Sequence, residues 1–167
     1  ILKPVHEGSS IGMTKVMREL DLKQAWRDAE QYDSEVLAER WVEGTEYTAA
    51  IVADTALPLI RLETPREFYD YEAKYQADST RYHCPCGLAP DQEFQFQELA
   101  KHAFAAVAAT GWGRVDFFLD AAHRPWLIEV NTVPGMTDHS LVPMAARVFG
   151  WDMPELVWRI LETSAEG

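Results

Sequence analysis

The chain has 167 residues, of which 47% are hydrophobic, and its formal net charge is −12. This length and composition suffice for one or two small globular domains with a buried core. The acidic charge argues against nonspecific binding to DNA or to an anionic membrane, because both require a basic surface. We see no apolar run of membrane-spanning length and no signal-peptide pattern, so we expect no nucleic-acid partner, no membrane partner and a cytoplasmic location.

The first part of the chain predicts a strand, a loop, a helix and a second strand. Residues 1–4 are typical of the interior of a buried strand, which we interpret as the sign of a piece of a longer polypeptide. A polar, glycine-containing loop, HEGSSIGMTKV, follows. Apolar residues at helical spacing predict a helix over 20–32 with Asp21 as its cap, and the next strand is predicted over 36–42.

The middle of the chain predicts two paired strands, a long connection and a helix. The strands are expected over 46–53 and 57–62, and a polar, tyrosine-rich segment without clear periodicity follows over 63–88. A connection of that length in a compact domain is typical of a lid or a disordered segment. A helix is predicted over 91–109, with an apolar side formed by Phe94, Leu99, Phe104 and Val107.

The two cysteines, Cys84 and Cys86, are separated by a single proline. This spacing is too tight for an easy disulfide bridge, and a zinc site would need a second pair of ligands. We therefore interpret both cysteines as reduced, structural residues.

Residues 113–131 predict a β-hairpin with a loop over 121–124 and residue 120 opposite residue 125. Side chains alternate between the two faces of a strand, so each arm has one polar face and one apolar face. This alternation is typical of half-buried strands. The apolar face contains Val115, Phe117, Ile128 and Val130.

The polar face of the same hairpin contains Arg114, Asp116, Glu129 and Asn131. The predicted register places Asp116 opposite Glu129 and Arg114 opposite Asn131. Two carboxylates that close would repel each other unless a cation lies between them. Carboxylate and amide oxygens suit Mg²⁺, which completes its octahedron with phosphate and water. The alternative is an exposed hairpin with a solvated charged face, on which the arginine simply pairs with the carboxylates.

The segment after the hairpin, TVPGMTDHSLVP, combines a proline-glycine turn with a polar loop. Loops at strand ends are where binding groups concentrate. Helices are predicted over 141–149 and 153–161. Strands, then helices, then an antiparallel hairpin favour an α+β fold.

Six motifs stand out along the chain: KPVHEGSSIGM, LAERWVEGTEYT, YEAKY, TRYHCPCGL, GRVDFFL and WLIEVNTVPGMTDHSLVP. Together they resemble the D-alanine:D-alanine ligase family, whose ATP-grasp fold is an antiparallel sheet with flanking helices. The resemblance covers essentially the whole chain but begins partway through the family's central domain. It implies that residues 1–43 are a remnant of the central ATP-binding domain and that residues 44–167 are the C-terminal domain.

The resemblance implies ATP-dependent ligation of two D-alanines for peptidoglycan precursor synthesis. The carboxylate of the first D-alanine would attack the γ-phosphate of ATP to give an acyl phosphate, and the amine of the second would displace phosphate. ATP and Mg²⁺, with Mn²⁺ as a substitute, are the implied cofactors, and D-alanine and ATP are the implied partners. A full-length homodimer is implied as well, and this chain alone is expected to be catalytically deficient.

The resemblance assigns the nucleotide to residues at several points of the chain. Lys3 would reach the ATP phosphates, a task for which a point cation is suited. The loop over 7–10 resembles the phosphate loop, and Ser9 resembles the serine that helps to hold a glutamate absent from this chain. The residues that would meet adenine and ribose are Glu39, Arg40, Trp41, Val42 and Glu46.

Lys74 and Tyr75 match the loop that closes over the phosphates and the second substrate. In the family, a tyrosine at this position accompanies an amine as the attacking group. Arg114 and the backbone N–H of Gly135 would stabilise the oxyanion of the tetrahedral intermediate.

The remaining assignments concern the metal and the second substrate. Asp116, Glu129 and Asn131 would hold one or two Mg²⁺ ions that bridge the β- and γ-phosphates. Ser140 and the backbone of Leu141 would bind the carboxylate of the second D-alanine at a helix start, where the dipole favours an anion.

Two other functions stay open. One is a Mg-nucleotide-binding module that catalyses no step. The other is a different ATP-grasp carboxylate-amine ligase, with another acid and another amine.

Overall fold

The computed structural model describes residues 1–64 and 80–165, and these residues form two compact units. Residues 1–42, 64 and 80–81 belong to the first unit, and residues 43–63 and 82–165 belong to the second. The assignment of residues 1–43 to the central domain of the family and of residues 44–167 to its C-terminal domain stays a prediction.

The first unit contains a two-stranded antiparallel sheet. Strand β1 (Leu2–Pro4) pairs with β2 (Val36–Ala38), so that Lys3 lies opposite Leu37. The strand predicted over 36–42 is therefore shorter than expected and ends at Ala38.

A short amphipathic helix lies between these two strands in the sequence. A 3-10 turn (Glu19–Asp21) leads into α1 (Leu22–Glu30), which buries Ala25 and Ala29. Asp21 occupies the N-cap position of this helix, as predicted, but its side chain makes no capping hydrogen bond. Its carboxylate instead accepts two hydrogen bonds from the Arg18 guanidinium, at 2.8 Å each, because a planar guanidinium fork matches a carboxylate better than a single amide does.

The second unit is built on a six-stranded sheet with the order β6-β5-β3-β7-β8, and β4 pairs with the end of β3. The pairings of β3 with β4, β5 and β7, and of β7 with β8, are antiparallel. The strands are β3 (Thr45–Val52), β4 (Thr55–Ala56), β5 (Ile60–Glu63), β6 (Arg81–His83), β7 (Trp112–Leu119) and β8 (Pro125–Asn131).

Helix α2 (Pro90–Ala106) packs on one face of this sheet, against alternate residues of β3 and β7. The predicted apolar side was wrong in part, since Phe94 is 62% exposed and Val107, beyond the helix end, is 59% exposed. The true buried stripe recurs at helical spacing but includes two alanines, which a search for large apolar residues passes over. It consists of Phe96, Ala100, Ala103 and Phe104.

Two further helices, α3 (Leu141–Phe149) and α4 (Met153–Ala165), contact β3 as well. Residues 47–52 of β3 are all buried, as expected for a central strand with both faces covered. Helix α3 has the bounds that were predicted, and α4 continues four residues beyond its predicted end at 161. Among the helices of residues 1–64 and 80–165, none is long and apolar enough to span a membrane.

Both cysteine thiols are free, in agreement with the prediction. Cys86 is a member of the core cluster under α2, and Cys84 is partly buried. Burial raises the pKa of the Cys84 thiol to about 11, and the negative charge of Glu93 acts in the same direction.

Candidate metal and substrate site on the β7-β8 hairpin

The β7-β8 hairpin places Asp116 directly opposite Glu129 and Arg114 opposite Asn131. Both pairings were predicted. Nearer the loop the register differs from the prediction, because Leu119 faces Pro125 and the extra residue of β8, Ile128, is absorbed in a bulge next to Asp116.

Asp120 explains why the loop is longer than predicted. Its carboxylate accepts hydrogen bonds from the backbone N–H groups of Ala122 and Arg124, at 2.9 and 3.0 Å, as aspartate commonly does in turns. The hydrogen bond from the Arg124 N–H, followed by those from the Trp126 indole and the Ala122 N–H, holds the pKa of Asp120 well below its usual range. Asp120 therefore organises the loop instead of pairing in the ladder.

The apolar face of the hairpin is buried only in part as predicted, because Ile128 is half-buried and lies in the bulge. Val115 and Phe117 are each 0% exposed, and Val130 packs against the same core. The ring of Phe117 stacks on that of Tyr47, with centroids 5.9 Å apart. Since this face is anchored in the core, Arg114 and Asp116 are held on the opposite face by the alternation of the strand.

Asp116 and Arg114 form a buried bidentate ion pair. Arg114 Nε donates to Asp116 Oδ1 at 2.8 Å, and Nη2 donates to Oδ2 at 2.7 Å. The two side chains are 9% and 10% exposed, respectively. A paired and hydrogen-bonded carboxylate stays charged in such a place, so Asp116 presents a fixed negative charge.

Glu129 and Asn131 complete the polar face from the second strand. The Glu129 side chain is 52% exposed, and its Oε1 lies 3.8 Å from Arg114 Nη2. Asn131 Oδ1 accepts a hydrogen bond from the backbone N–H of Val133 at 3.1 Å. Asn131 is thus oriented by the turn that follows β8, whereas the Glu129 carboxylate is accessible to a ligand.

The donor set on this face fits a hard divalent cation. Two carboxylates that face each other and one amide oxygen match the oxygen ligands of Mg²⁺, which needs few protein ligands when phosphates and water supply the others. Within the described residues, no group of three or more His, Cys, Asp or Glu side chains is close enough to hold a metal by itself. Such an ion would therefore need an external oxygen ligand such as a phosphate.

Thr48 is a residue of this face that sequence reasoning missed. It lies opposite Asp116 in the β3-β7 ladder, and its hydroxyl donates to Asp116 Oδ1 at 2.6 Å. The sequence signal was weak, because a threonine in a strand is ordinary and the two residues are 68 positions apart.

The predicted carboxylate site lies at the start of α3. Ser140 occupies the N-cap position, but its hydroxyl makes no capping hydrogen bond. Its Oγ instead accepts from the backbone N–H of Thr137 at 3.0 Å. The first amides of α3, including that of the buried Leu141, are consequently left without a side-chain cap, and such a helix start favours an anion.

Gly135 adjoins this helix start. A Cβ at Gly135 would lie 2.8 Å from Ser140 Oγ, which is too close for a side chain at this position while Ser140 keeps its place. The structure therefore brings together the predicted oxyanion donor Gly135 and the predicted substrate-binding Ser140.

The predicted nucleotide residues of the first unit include one close pair. The Lys3 ammonium and the Glu39 carboxylate form an ion pair, and the backbone N–H of Glu39 donates to the carbonyl of Ile1 at 2.9 Å. In the predicted phosphate loop, Ser9 and Ser10 both have positive φ values, 54° and 61°. Such angles are uncommon for residues other than glycine.

The other predicted nucleotide residues are more scattered. Arg40 is exposed, and Trp41 and Val42 are half-buried. The Lys15 ammonium lies 4.2 Å from the centre of the Trp41 ring. Glu46 belongs to the second unit, on β3, opposite Phe118. Lys74 and Tyr75 lie outside the described residues.

An antiparallel sheet covered by helices, with opposed carboxylates and an arginine on one face, places the chain in the ATP-grasp class, whose fold is that of its structural neighbours. Within that class, the chain belongs to the D-Ala-D-Ala ligase family. The family model described as "D-ala D-ala ligase C-terminus" matches residues 1–162. The predicted family and fold class are confirmed.

The similarity to known proteins extends over nearly all of this chain. The D-alanine--D-alanine ligase of Alkalilimnicola ehrlichii is 62% identical over 161 residues, which are 96% of this chain and 52% of that protein. The structure of VanG D-Ala:D-Ser ligase from Enterococcus faecalis has a TM-score of 0.86 at 30% identity, and the match covers 97% of this chain and 48% of that one.

A third comparison is with a nucleotide complex. The structure of D-alanine--D-alanine ligase from Bacillus anthracis complexed with ATP has a TM-score of 0.83 at 27% identity, and the match covers 99% of this chain and 52% of that one. The chain thus spans about half the length of the relatives that it matches.

Proposed function

We propose that this chain supplies the metal-binding and acceptor-binding half of an enzyme that joins two D-alanines at the expense of ATP, to give D-alanyl-D-alanine for peptidoglycan precursors. The observation that carries the proposal is the face of the β7-β8 hairpin, where Asp116 and Glu129 are directly opposed beside Arg114. Family membership over residues 1–162 supports the same reaction.

Asp116, Glu129 and Asn131 would hold Mg²⁺, or Mn²⁺ in its place, on this face. When bound, such an ion offsets the negative charge that develops on the phosphates during phosphoryl transfer. The fixed charge of Asp116 and the accessible carboxylate of Glu129 suit this task. The guanidinium of Arg114 lies beside these carboxylates and is held by its bidentate contact with Asp116. From this position it would donate hydrogen bonds to an oxyanion.

Arg114 would act in the second step, in which an amine attacks the acyl phosphate and a tetrahedral oxyanion forms. A donor that is held in place before the reaction stabilises such a charge without further rearrangement. The backbone N–H of Gly135 would donate to the same oxyanion. Ser140 and the amide of Leu141 would hold the carboxylate of the attacking D-alanine at the uncapped start of α3.

The nucleotide would be bound by residues at several points of the chain. Lys3 and the loop that contains Ser9 would contact phosphates. The other residues that we propose to contact the nucleotide or the second substrate are Glu39, Arg40, Trp41, Val42, Glu46, Lys74 and Tyr75. The ATP complex of the Bacillus anthracis ligase, which shares the fold, supports ATP as the nucleotide.

Two further parts of the proposal concern the whole protein, which we expect to be a cytoplasmic homodimer. Family membership is what supports both expectations. Sedimentation equilibrium of the full-length protein would test the expected homodimer. A protein that stays monomeric over the micromolar concentration range would contradict it.

The direct test uses the chain in two forms. One is the 167-residue chain alone, and the other is a chimera in which it replaces the matching part of the Alkalilimnicola ehrlichii ligase, with which it shares 62% identity. We expect the chimera to release phosphate from ATP only when D-alanine is present, and the chain alone to be deficient.

L-alanine and D-lactate serve as controls for the substrates. Phosphate release with D-alanine, together with mass-spectrometric detection of the dipeptide, would support the ligase. A chimera that binds ATP and a divalent ion but forms no product would favour the second candidate, a nucleotide-binding module. Turnover with a different acid or amine, and none with D-alanine, would favour another ATP-grasp ligase.

A further inference from the structure

Thr48 and Asp116 are joined across the sheet by one short hydrogen bond. Thr48 lies in the middle of β3 and is 2% exposed. Its hydroxyl is 2.6 Å from Asp116 Oδ1 and 3.5 Å from the carbonyl oxygen of Val115. Because a hydroxyl has a single proton to donate, the much shorter contact identifies the carboxylate as its acceptor.

The two oxygens of Asp116 are used differently. A carboxylate oxygen can accept about two hydrogen bonds or metal bonds. Oδ1 receives two donors, the Thr48 hydroxyl and Arg114 Nε at 2.8 Å. Within the part of the chain that the structure describes, Oδ2 receives one donor, Arg114 Nη2 at 2.7 Å. Oδ1 is therefore saturated, and Oδ2 keeps one direction for a further partner.

We propose that Thr48 is a positioning residue, which saturates Asp116 Oδ1 and thereby reserves Oδ2 for the divalent cation. This inference rests on the proposed function, because it requires the metal site on the hairpin. The arginine fork alone leaves the carboxylate free to tilt about the two Arg114 hydrogen bonds. The third hydrogen bond, from a different strand, removes that freedom.

Residues that orient a metal ligand by hydrogen bonds contribute to metal affinity, and their loss typically costs about 10- to 100-fold in that affinity. Removal of the Thr48 hydroxyl should therefore weaken metal binding without removing any ligand. Excess metal should compensate for this loss, because the ligands themselves are intact. A residue that served only the stability of the sheet would show neither effect.

The test uses the chimera described above with four substitutions. Thr48→Val removes the hydroxyl at nearly constant shape, Thr48→Ser keeps it, and Thr48→Cys keeps the size with a weaker donor. Thr45→Val, at the exposed start of the same strand, is the matched control. Binding of Mn²⁺ in the presence of a non-hydrolysable ATP analogue is measured by electron paramagnetic resonance, and the Mg²⁺ concentration for half-maximal phosphate release is measured separately.

We expect Thr48→Val to raise the Mn²⁺ dissociation constant about 10- to 100-fold, with turnover partly restored by high Mg²⁺. Thr48→Ser and Thr45→Val should bind Mn²⁺ as the parent does, and Thr48→Cys should be intermediate. If Thr48→Val does not fold, the comparison of Thr48→Cys with Thr48→Ser decides the matter.

Two results would overturn the inference, and they are distinguishable. Parent-like Mn²⁺ affinity in a folded Thr48→Val protein, or in Thr48→Cys if valine is not tolerated, would refute the role of Thr48 while the metal site stands. Failure of the parent chimera to bind Mn²⁺ would refute the metal site itself and the inference with it.

Discussion

Asp116 and Glu129 face each other across the β7-β8 hairpin, one step before the register changes at Ile128. If the pairing that begins with Leu119 and Pro125 continued unbroken, Asp116 would face Ile128 and Glu129 would face Val115. A shift of one residue moves a side chain to the other face of a sheet. The bulge is therefore what keeps both carboxylates on one face, a use of bulges that is common next to active sites.

This relationship predicts the effect of Glu129→Gln. The Glu129 side chain is 52% exposed and its Oε1 lies 3.8 Å from Arg114 Nη2, so the loss of its charge should change thermal stability little. Turnover should nevertheless be abolished, because a proposed metal ligand loses its charge. Phosphate release by the chimera and its thermal midpoint are the two measurements.

Glu98→Gln is the matched control for that substitution. Glu98 pairs with Lys101 on the surface of α2, and the same chemical change there should leave turnover intact. Retained activity in Glu129→Gln would refute the metal role of Glu129.

A second prediction concerns the start of α3. In Gly135→Ala the new Cβ would lie 2.8 Å from Ser140 Oγ, so Ser140 must move, although the backbone N–H at position 135 is kept. Loss of a hydrogen bond to a carboxylate costs about 1.5 to 3 kcal/mol. We therefore expect the KM for the acceptor D-alanine to rise about tenfold or more, with the KM for ATP little changed.

A double-mutant cycle separates this effect from general damage to the turn. If Gly135→Ala acts by displacing the hydroxyl, it should have little further effect in a Ser140→Ala background. Fully additive effects of the two substitutions would contradict the proposed contact.

How far the site could be predicted depends on the distance in sequence between its members. The pairing of Asp116 with Glu129 followed from alternation within one hairpin, which is a local pattern. The contact of Thr48 with Asp116 joins residues 68 positions apart, and it depends on β3 being the neighbour of β7, which no local pattern determines.

The fold shows the same division between local and non-local information. Helix α3 has the bounds that were predicted, because the apolar stretch that begins at Leu141 is a local signal. The buried side of α2 was misjudged because it depends on which residues β3 and β7 present to it. Alanines fill close contacts there, while the larger Phe94 lies exposed.

A third prediction concerns pH and the pair formed by His6 and Asp33. His6 Nδ1 lies 2.7 Å from Asp33 Oδ2, and this hydrogen bond and the charge of Asp33 raise the pKa of His6 above 6.5. The backbone N–H groups of Glu35 and His6 are the main cause that lowers the pKa of Asp33 from 3.8 to about 2.

The two shifts define the pH window in which the pair stabilises the fold. A raised histidine pKa contributes stability below pH 6.5 that is lost as the pH rises through the raised value. A lowered aspartate pKa contributes stability above pH 3.8 that is lost as the pH falls toward about 2. The pair should therefore stabilise the fold fully between pH 3.8 and pH 6.5 and progressively less outside this range. Asp33→Asn should remove this contribution.

NMR titration of the His6 ring gives the direct measurement. In Asp33→Asn the His6 pKa should fall back toward its ordinary value, whereas Asp28→Asn, on the surface of α1, should leave the His6 titration as it is in the parent protein. An unchanged His6 pKa in Asp33→Asn would contradict the assigned cause.

A fourth prediction is that Cys84 reacts slowly with alkylating reagents at neutral pH. Only the thiolate is a good nucleophile, and burial raises the Cys84 pKa to about 11. The rate of modification by iodoacetamide, followed by peptide mass spectrometry, should keep rising with pH beyond pH 10, whereas free glutathione in the same tube reacts readily at lower pH. Rapid modification of Cys84 at pH 7 would show that the thiol is not buried as described.

The central claim is that the polar face of the hairpin holds a divalent ion, and a crystal of the chimera grown with Mn²⁺ and a non-hydrolysable ATP analogue tests it most directly. The account predicts an anomalous-scattering peak within about 2.5 Å of oxygens of Asp116 and Glu129, a distance typical of oxygen ligation. An Mn²⁺ peak at the phosphates but far from both carboxylates, with Asp116 and Glu129 bound only to protein and water, would contradict it.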